Sequence, residues 1–257
     1  MFVRDYHIHT KLSPCADRIF DVEKVIQIQQ ERGMKEIGIT DHDFSYGYKA
    51  KRIEAARNAI KQCDASIPVH FGVESHMLEY RSTSLNIQLA SYFDYVLMAP
   101  NHYHLRGVAP PSDFKNPKKV AIHEIYMFEA AVACPITDAV VHPFVLAPDV
   151  FRFLTKGELS AFGQEVMRNI DQKRLIYQLD LVSQRGIGIE ISPKFIRYNQ
   201  RHLIEFYQLC LEREVKLLIG SDAHNAKQLE DLSVLEPILD ELGVQEEHLW
   251  QPKVWQW

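Results

Sequence analysis

The sequence predicts an α/β fold in which parallel strands form a sheet or barrel. Short apolar runs alternate with longer amphipathic stretches along all 257 residues, and histidines and acids gather where the apolar runs end. Parallel neighbours need a helix-length connection between them, and the alternation supplies one each time. The strand runs are 2–8, 36–40, 69–73, 95–99, 139–141, 188–191 and 216–220. Between them the 3.6-residue pattern predicts helices over 22–32, 49–62, 117–133, 158–185 (long enough for two), 200–214 and 226–242. Asp21 stands where an N-cap belongs, and Gly33 stands where a helix-ending glycine belongs. Residues 102–116, with Gly107 and the Pro110–Pro111 pair, read as a long loop. No repeat, low-complexity stretch or linker interrupts the pattern, so one domain over 1–257 is expected.

Composition removes several classes of function. A net charge of -5 and a pI near 6.2 give no general attraction to long nucleic acid or to an anionic membrane surface. Cys15, Cys63, Cys134 and Cys210 are far apart and form no CxxC pair, which fits reduced thiols and predicts the cytoplasm. The opening MFVRDYHIHT lacks the apolar stretch of a secretion signal, and no uninterrupted run reaches membrane-spanning length.

The chemistry is concentrated at strand ends. The first strand ends with His7 and His9, the second with Asp41, His42 and Asp43, and the third with Glu74. The fourth ends with His102 and His104, the fifth with His142, the sixth with Glu190 and Ser192, and the last with Asp222 and His224. In a parallel α/β barrel these ends converge on one face. Residues i and i+2 of a strand share a side, so His7 with His9, and Asp222 with His224, aim two donors at one point. A single histidine such as His142, before Pro143, is more often a hydrogen-bonded structural residue than a ligand. The recurrence argues otherwise, because packing prefers apolar residues at strand ends and an unpartnered buried carboxylate costs several kcal/mol. His70, His123, His202 and His248 fall within strands, helices or the terminus and are read as structural. His76 and His104 stand one step beyond the best position and are read as facing substrate.

Imidazole and carboxylate donors together suit zinc, manganese or iron, whereas calcium and magnesium prefer oxygen and structural zinc prefers cysteine. His7, His9, His42, Glu74, His102, His142, Asp222 and His224 exceed what one tetrahedral ion needs. Two or three divalent ions are therefore expected, with Glu74 bridging a pair and a metal-bridging hydroxide as nucleophile. The ions outweigh the carboxylates in charge, which favours an anionic substrate, and paired ions suit in-line displacement at phosphorus.

The motifs HIHT, ITDHD, GVES, NHYH, VVHPF and GSDAH resemble, in order and spacing, those of the PHP (polymerase and histidinol phosphatase) family. The resemblance covers nearly the whole chain and implies a distorted (β/α)7 TIM-like barrel with metal-dependent phosphoesterase activity of the histidinol-phosphatase-like type. It further implies that His7, His9, Glu74 and Asp222 hold one ion, that Glu74, His102 and His142 hold a second, and that His42 with His224 holds a third. Here the chain departs from the pattern: where three-ion members often carry another His or Asp, this sequence reads KLSPCAD, leaving Cys15 or Asp17 to complete the third site. Glu74, Asp222 and His224 are the expected catalytic groups, the last two managing protons. Asp41 is expected to orient a ligand from behind. Arg18, His104, Arg106, Lys194 and Arg197 are candidates for binding substrate.

The leading expectation is a hydrolase of a small phosphomonoester. A phosphodiesterase or exonuclease is a close variant that the acidic charge disfavours for long nucleic acid. An amidohydrolase on a similar barrel is a second class, which often uses a metal-bridging lysine, and no strand-end lysine is evident. A non-catalytic metal-binding domain is a third, against which the complete ligand set speaks.

Overall fold

The computed structural model describes residues 3–42 and 50–252, so Asp43 and the expected strand and helix starts at residues 2 and 49 lie outside the described residues. β1 (Arg4–Ile8), β2 (Glu36–Ile39) and β3 (Val69–Phe71) pair in parallel in that order. After Gly72 the chain resumes as β4 (Val73–Glu79), on which β5 (Ser82–Thr83) folds back antiparallel. From β4 the parallel sheet continues through β6 (Val96–Ala99), β7 (Ala139–Val140), β8 (Gly188–Ile191) and β9 (Leu217–Ile219).

Two seams turn these sheets into a ring. At one, the amides of Gly72 and Glu74 donate to the carbonyls of Ile39 and Thr40 at 2.9 and 3.2 Å, so β3 and β4 act as a single broken strand. At the other, Asp222 N–H donates to His7 O at 2.8 Å and His9 N–H to Ala223 O at 2.9 Å, joining the end of β9 to β1. The result is the distorted barrel the motifs imply.

The helices cover the outside of this ring. α1 (Val22–Glu31) starts at the Asp21 carboxylate, which accepts from Lys24 N–H. α2 (Ala50–Gln62) follows, and α3 (Pro117–Ala133) starts on Asn116 with proline in its first turn. The long pattern over 158–185 is two helices, α4 (Lys156–Asn169) and α5 (Gln172–Arg185), because Asp171 caps a new start by accepting from Lys173 and Arg174 N–H. α6 (Lys194–Arg197) is a single turn that the pattern did not reveal, and α7 (Ile204–Glu212) opens through a 3-10 turn over Arg201–Leu203. The expected helix 226–242 is α8 (Ala226–Leu229) and α9 (Glu236–Glu241) with a 3-10 stretch, Glu230–Leu235, between them. Pro237 cannot donate to the preceding turn, so a continuous α-helix would lose a bond there.

Alternation along the strands sorts the interior into layers. Met98, Val140, Ile189, Leu217 and Ile219 point out to the helices, whereas Tyr6, Tyr95, Leu97, Ala139, Val141 and Leu218 point into the barrel. Trp250 closes the lower end. Its ring meets Tyr6 and Tyr95 edge to face at centroid distances of 5.9 and 5.7 Å, and its N–H donates to Gly186 O. Gly188 makes room for it, since a Cβ there would come within 2.7 Å of the indole. The floor of the barrel is thus apolar and filled, and the candidate ligating side chains lie above it. Trp250→Ala should destabilise the protein by about 3–5 kcal/mol, read as a lowered urea midpoint; an unchanged midpoint would mean that the indole does not plug the barrel.

Candidate metal centre

Above the apolar layer, the inward positions become ligating side chains. β1 contributes His7 and His9 because its register with β2 shifts between Asp5 and Ile8, an irregularity that lets both Tyr6 and His7 face inward while Ile8 turns to the outer layer. β4 contributes Glu74 and His76, two residues apart on the inward side, both fully buried. The backbone places His142 at φ +34° and Asp222 at φ +49°, left-handed conformations that a non-glycine residue adopts only when its surroundings impose them.

Glu74 lies at the centre. Its Oε2 stands 2.8 Å from His42 Nδ1, 3.2 Å from His9 Nε2 and 3.3 Å from His7 Nε2; its Oε1 stands 3.1 Å from His142 Nε2 and 3.6 Å from His102 Nε2. Asp222 Oδ1 is 3.2 Å from His9 Nε2 and 3.7 Å from His7 Nε2, while its other oxygen pairs with the Lys194 ammonium. His102 lies between two imidazoles, with Nδ1 2.8 Å from His76 Nδ1 and Nε2 3.1 Å from His142 Nε2. Three sets of donor atoms lie within 4.8 Å of one another: His7, His9 and Asp222; His42, Glu74, His76 and His102; and His9, His42 and His224.

These residues fit divalent ions. Glu74 Oε2 and Asp222 Oδ1 are buried and take no hydrogen bond of ordinary geometry, each being faced instead by imidazole nitrogens. An ion held at about 2.0–2.1 Å by nitrogen and oxygen places its ligands about 3.3 Å apart, which is the spacing of this cluster.

Neighbouring side chains aim the donors. Glu190 Oε1 lies 2.6 Å from His7 Nδ1, which turns His7 Nε2 toward Glu74, and Glu190 Oε2 accepts His142 N–H at 2.8 Å. Asp41 accepts from Thr10 N–H, the Thr10 hydroxyl and the Ser13 hydroxyl, each at 2.7 Å, and Ser13 Oγ lies 3.3 Å from His9 Nδ1. Asp41 therefore acts on His9 through Ser13.

Burial favours the neutral form of every group here, and charge decides which ones resist. Against burial, the imidazoles of His42, His102 and His7 hold Glu74 well below the usual carboxylate range. Lys194, followed by His7, does the same for Asp222. Burial first, then neighbouring imidazoles, pushes His76 and His224 each down to about 3, so both are lone-pair donors at neutral pH.

A cavity of about 370 Å³ opens above the donors. His42, His102, His142, Asp222 and His224 form its polar floor, Lys194 and Tyr198 stand in one wall, and His104 lies beside Asp149 at the rim. Lys194, three residues past β8, corrects the impression that no lysine reaches the strand ends. Arg18 and Arg106 are exposed and do not line the cavity, because loop residues carry no periodicity that fixes where they point. Arg197 donates to Ser221 O, which ties α6 to the loop after β9. Cys15 lines the cavity; partial desolvation, then the Glu74 and Asp222 carboxylates, pushes its thiol up to about 12. Neither Cys15 nor Asp17 belongs to a donor set among the described residues; Asp17 meets His224 through its backbone N–H, at 2.9 Å from His224 O. His9 completes the set with His42 and His224 instead, and His76, read from the sequence as facing substrate, stands among the donors.

The family model for the PHP domain matches residues 5–194, nearly three quarters of the chain. The chain belongs to the PHP family. As a PHP protein it is an enzyme of the metal-dependent phosphoesterase class. Asp222 and His224 lie beyond the matched residues and are joined to the rest of the centre by the seam between β9 and β1. No curated protein matches the sequence. Among solved structures, histidinol phosphate phosphatase from Lactococcus lactis, complexed with zinc, L-histidinol and phosphate, superposes with a TM-score of 0.60 at 13% identity, covering 95% of each chain. The histidinol phosphatase candidate HisK of Listeria monocytogenes gives 0.57 at 13% identity, over 88% of this chain and 97% of its own. At that identity both show that the PHP barrel is shared.

Gly220 tests how tightly the barrel top is built. A Cβ there would come 2.6 Å from His7 Cβ and collide with Glu190 Oε1, whereas Gly157 has open space. Gly220→Ala should weaken zinc binding about 10–100-fold by displacing the Glu190–His7 pair, with Gly157→Ala unaffected. Equal zinc affinity in both variants, measured by chelator competition, would show that Glu190 does not aim His7.

Proposed function

We propose that this PHP enzyme hydrolyses a small phosphomonoester, using two or three divalent ions of zinc, manganese or iron. The observation that carries this reading is the Glu74 carboxylate, whose two oxygens face different groups of imidazoles at the floor of a closed-bottomed cavity. Divalent ions bound there supply Lewis acidity toward phosphoryl oxygens and lower the pKa of nearby water.

The chain's own side chains do the rest. Glu74 serves both groups of donors at once, so losing it dismantles the centre rather than one site. Lys194 holds the outer oxygen of Asp222 and presents its ammonium to the cavity, where it binds a phosphoryl oxygen. His224 places Nδ1 2.9 Å from Asp222 O, which keeps its proton there and leaves Nε2 toward His9 and His42. Asp222 and His224 thus stand where a proton passes between water and leaving group. The cavity's size suits a small ester, and Asp149 at its rim repels the following phosphates of a long nucleic acid. Among the described residues no helix is long and apolar enough to cross a membrane. The free thiols of Cys15, Cys63, Cys134 and Cys210 support a place in the cytoplasm.

Protein reconstituted with manganese or zinc should hydrolyse an aryl phosphate. Glu74→Ala should abolish turnover and lower the metal content, and His70→Ala, whose ring pairs with Glu36 away from the centre, should leave both intact. Unchanged turnover in a folded, metal-depleted Glu74→Ala protein would sink this mechanism. A weaker third ion at His9, His42 and His224 should be the first lost on graded dialysis against chelator. His42→Ala should lose it outright, while Cys15→Ser and Asp17→Asn keep it. Loss in Cys15→Ser would instead make the thiolate a ligand.

A further inference from the structure

The loop bearing His142 is held by buried side chains that lie outside the donor sets. His142 and Phe144 both have positive φ, at +34° and +62°. Asn101 Nδ2 donates to the carbonyls of His142 and Val145, both at 3.2 Å, and Gln200 pairs with Leu146 through both N–H and C=O. Behind Asn101 stands Glu124, on the inner side of α3, 1% exposed among Val120, Ala121, Ile125 and Phe128. Its carboxyl accepts the Tyr103 hydroxyl at 2.6 Å, and it also takes hydrogen bonds from the Asn101 side chain and Phe144 N–H. An acid at such a position in a helix has no packing reason to be there.

We propose that Glu124 is a positioning residue for the metal centre, acting through Asn101 on His142. The Glu124 carboxylate and the carbonyls of His142 and Val145 only accept, so together they hold the Asn101 NH2 on their side and its Oδ1 toward His142 Nδ1, 3.1 Å away. His142 Nδ1 then carries the proton. Its Nε2 keeps the lone pair, aimed at Glu74 Oε1 and His102 Nε2, each at 3.1 Å. A glutamine in place of Glu124 can offer Asn101 Oδ1 a donor, which weakens the preference set by the three acceptors; the opposite Asn101 rotamer puts a donor against Nδ1 and moves the proton to Nε2.

The inference rests on His142 being a ligand, so His142→Ala is the first control and should lose one ion. Burial pushes the Glu124 carboxyl up to about 7, so measurements belong at pH 8, where it is ionised. There, Glu124→Gln should bind that same ion about 10–100-fold more weakly while the other ions hold. The 15N spectrum of the zinc-free variant should show the His142 proton shared between the two ring nitrogens, where the parent has it on Nδ1. Combining Glu124→Gln with Asn101→Ala should cost no more than Asn101→Ala alone, since both act on one route. Wild-type affinity for every ion with the Nδ1 proton retained overturns the proposal, as does a uniform weakening of all ions. If Glu124→Gln does not fold, Glu124→Asp, which draws the charge back by one methylene, must weaken the same ion and no other; a wild-type result there overturns the proposal equally. Should His142→Ala lose no ion, the ligand reading fails and this inference with it; should only the Glu124 variants behave as wild type, this inference alone fails.

Discussion

A carboxylate sunk among imidazoles, with no ordinary hydrogen bond on one oxygen, sets the terms for the upper half of this barrel. Glu74 is fully buried, and burying an uncompensated charge costs several kcal/mol. Protonated histidines could compensate part of it, and His7 is indeed held well above its ordinary value, against its burial, by Asp222, Glu190 and Glu74. The remedy does not extend to all of them. Burial first, and then repulsion from neighbouring imidazoles at ring separations such as 4.2 and 5.8 Å, keeps His42 and His102 below the ordinary value. Divalent ions between these donors remove the conflict, since each neutral imidazole then has a use for its lone pair.

The need for fixed lone pairs explains features that packing alone would not. The register shift in β1 is what lets Tyr6 seal the floor while His7 faces the centre. The left-handed backbone at His142 and Asp222 is tolerated because buried hydrogen bonds over-determine both loops. Asp5, buried between β1, α1 and the loop after β9, accepts from Ser221 N–H and from Gln29, so the seam that carries Asp222 is pinned from below. Asp5, Asp41, Asn101 and Glu190 are thus buried polar residues that hold a donor or its loop in place.

How much of this could be read from letters depends on whether a residue's direction follows from a period. Helix 117–133 and strand 188–191 appear with the bounds expected, because caps and apolar runs mark them on both sides. That His7, His9, Glu74, His102, His142, Asp222 and His224 would come together was legible because strand ends converge in any parallel barrel. His76 was under-read for a definite reason: the apolar run ends at residue 73, but β4 continues to Glu79, and the two-residue alternation that points Glu74 inward points His76 inward as well. Where no period operates, direction was not legible. Arg18 and Arg106 are exposed and do not line the cavity, whereas Lys194 does, though all three follow strands.

The same distinction separates the two kinds of polar residue that the sequence could not rank. Glu190 and Glu124 are both buried acids with no place in the donor sets among the described residues. Glu190 sits at a strand end, so its presence near the centre follows from the barrel, and only its partner, His7 Nδ1, had to be seen. Glu124 sits in a helix, where an acid reads as one more solvent-facing residue of an amphipathic pattern. The contradiction appears only once α3 is in place and its inner side proves to carry a carboxyl. A buried acid that faces Asn101, which in turn faces a histidine nitrogen, has a geometry set by what lies two residues away in space rather than in sequence. Such arrangements are costly to leave unsatisfied and easy to satisfy in only one orientation. That makes them suited to fixing which nitrogen of an imidazole carries its proton.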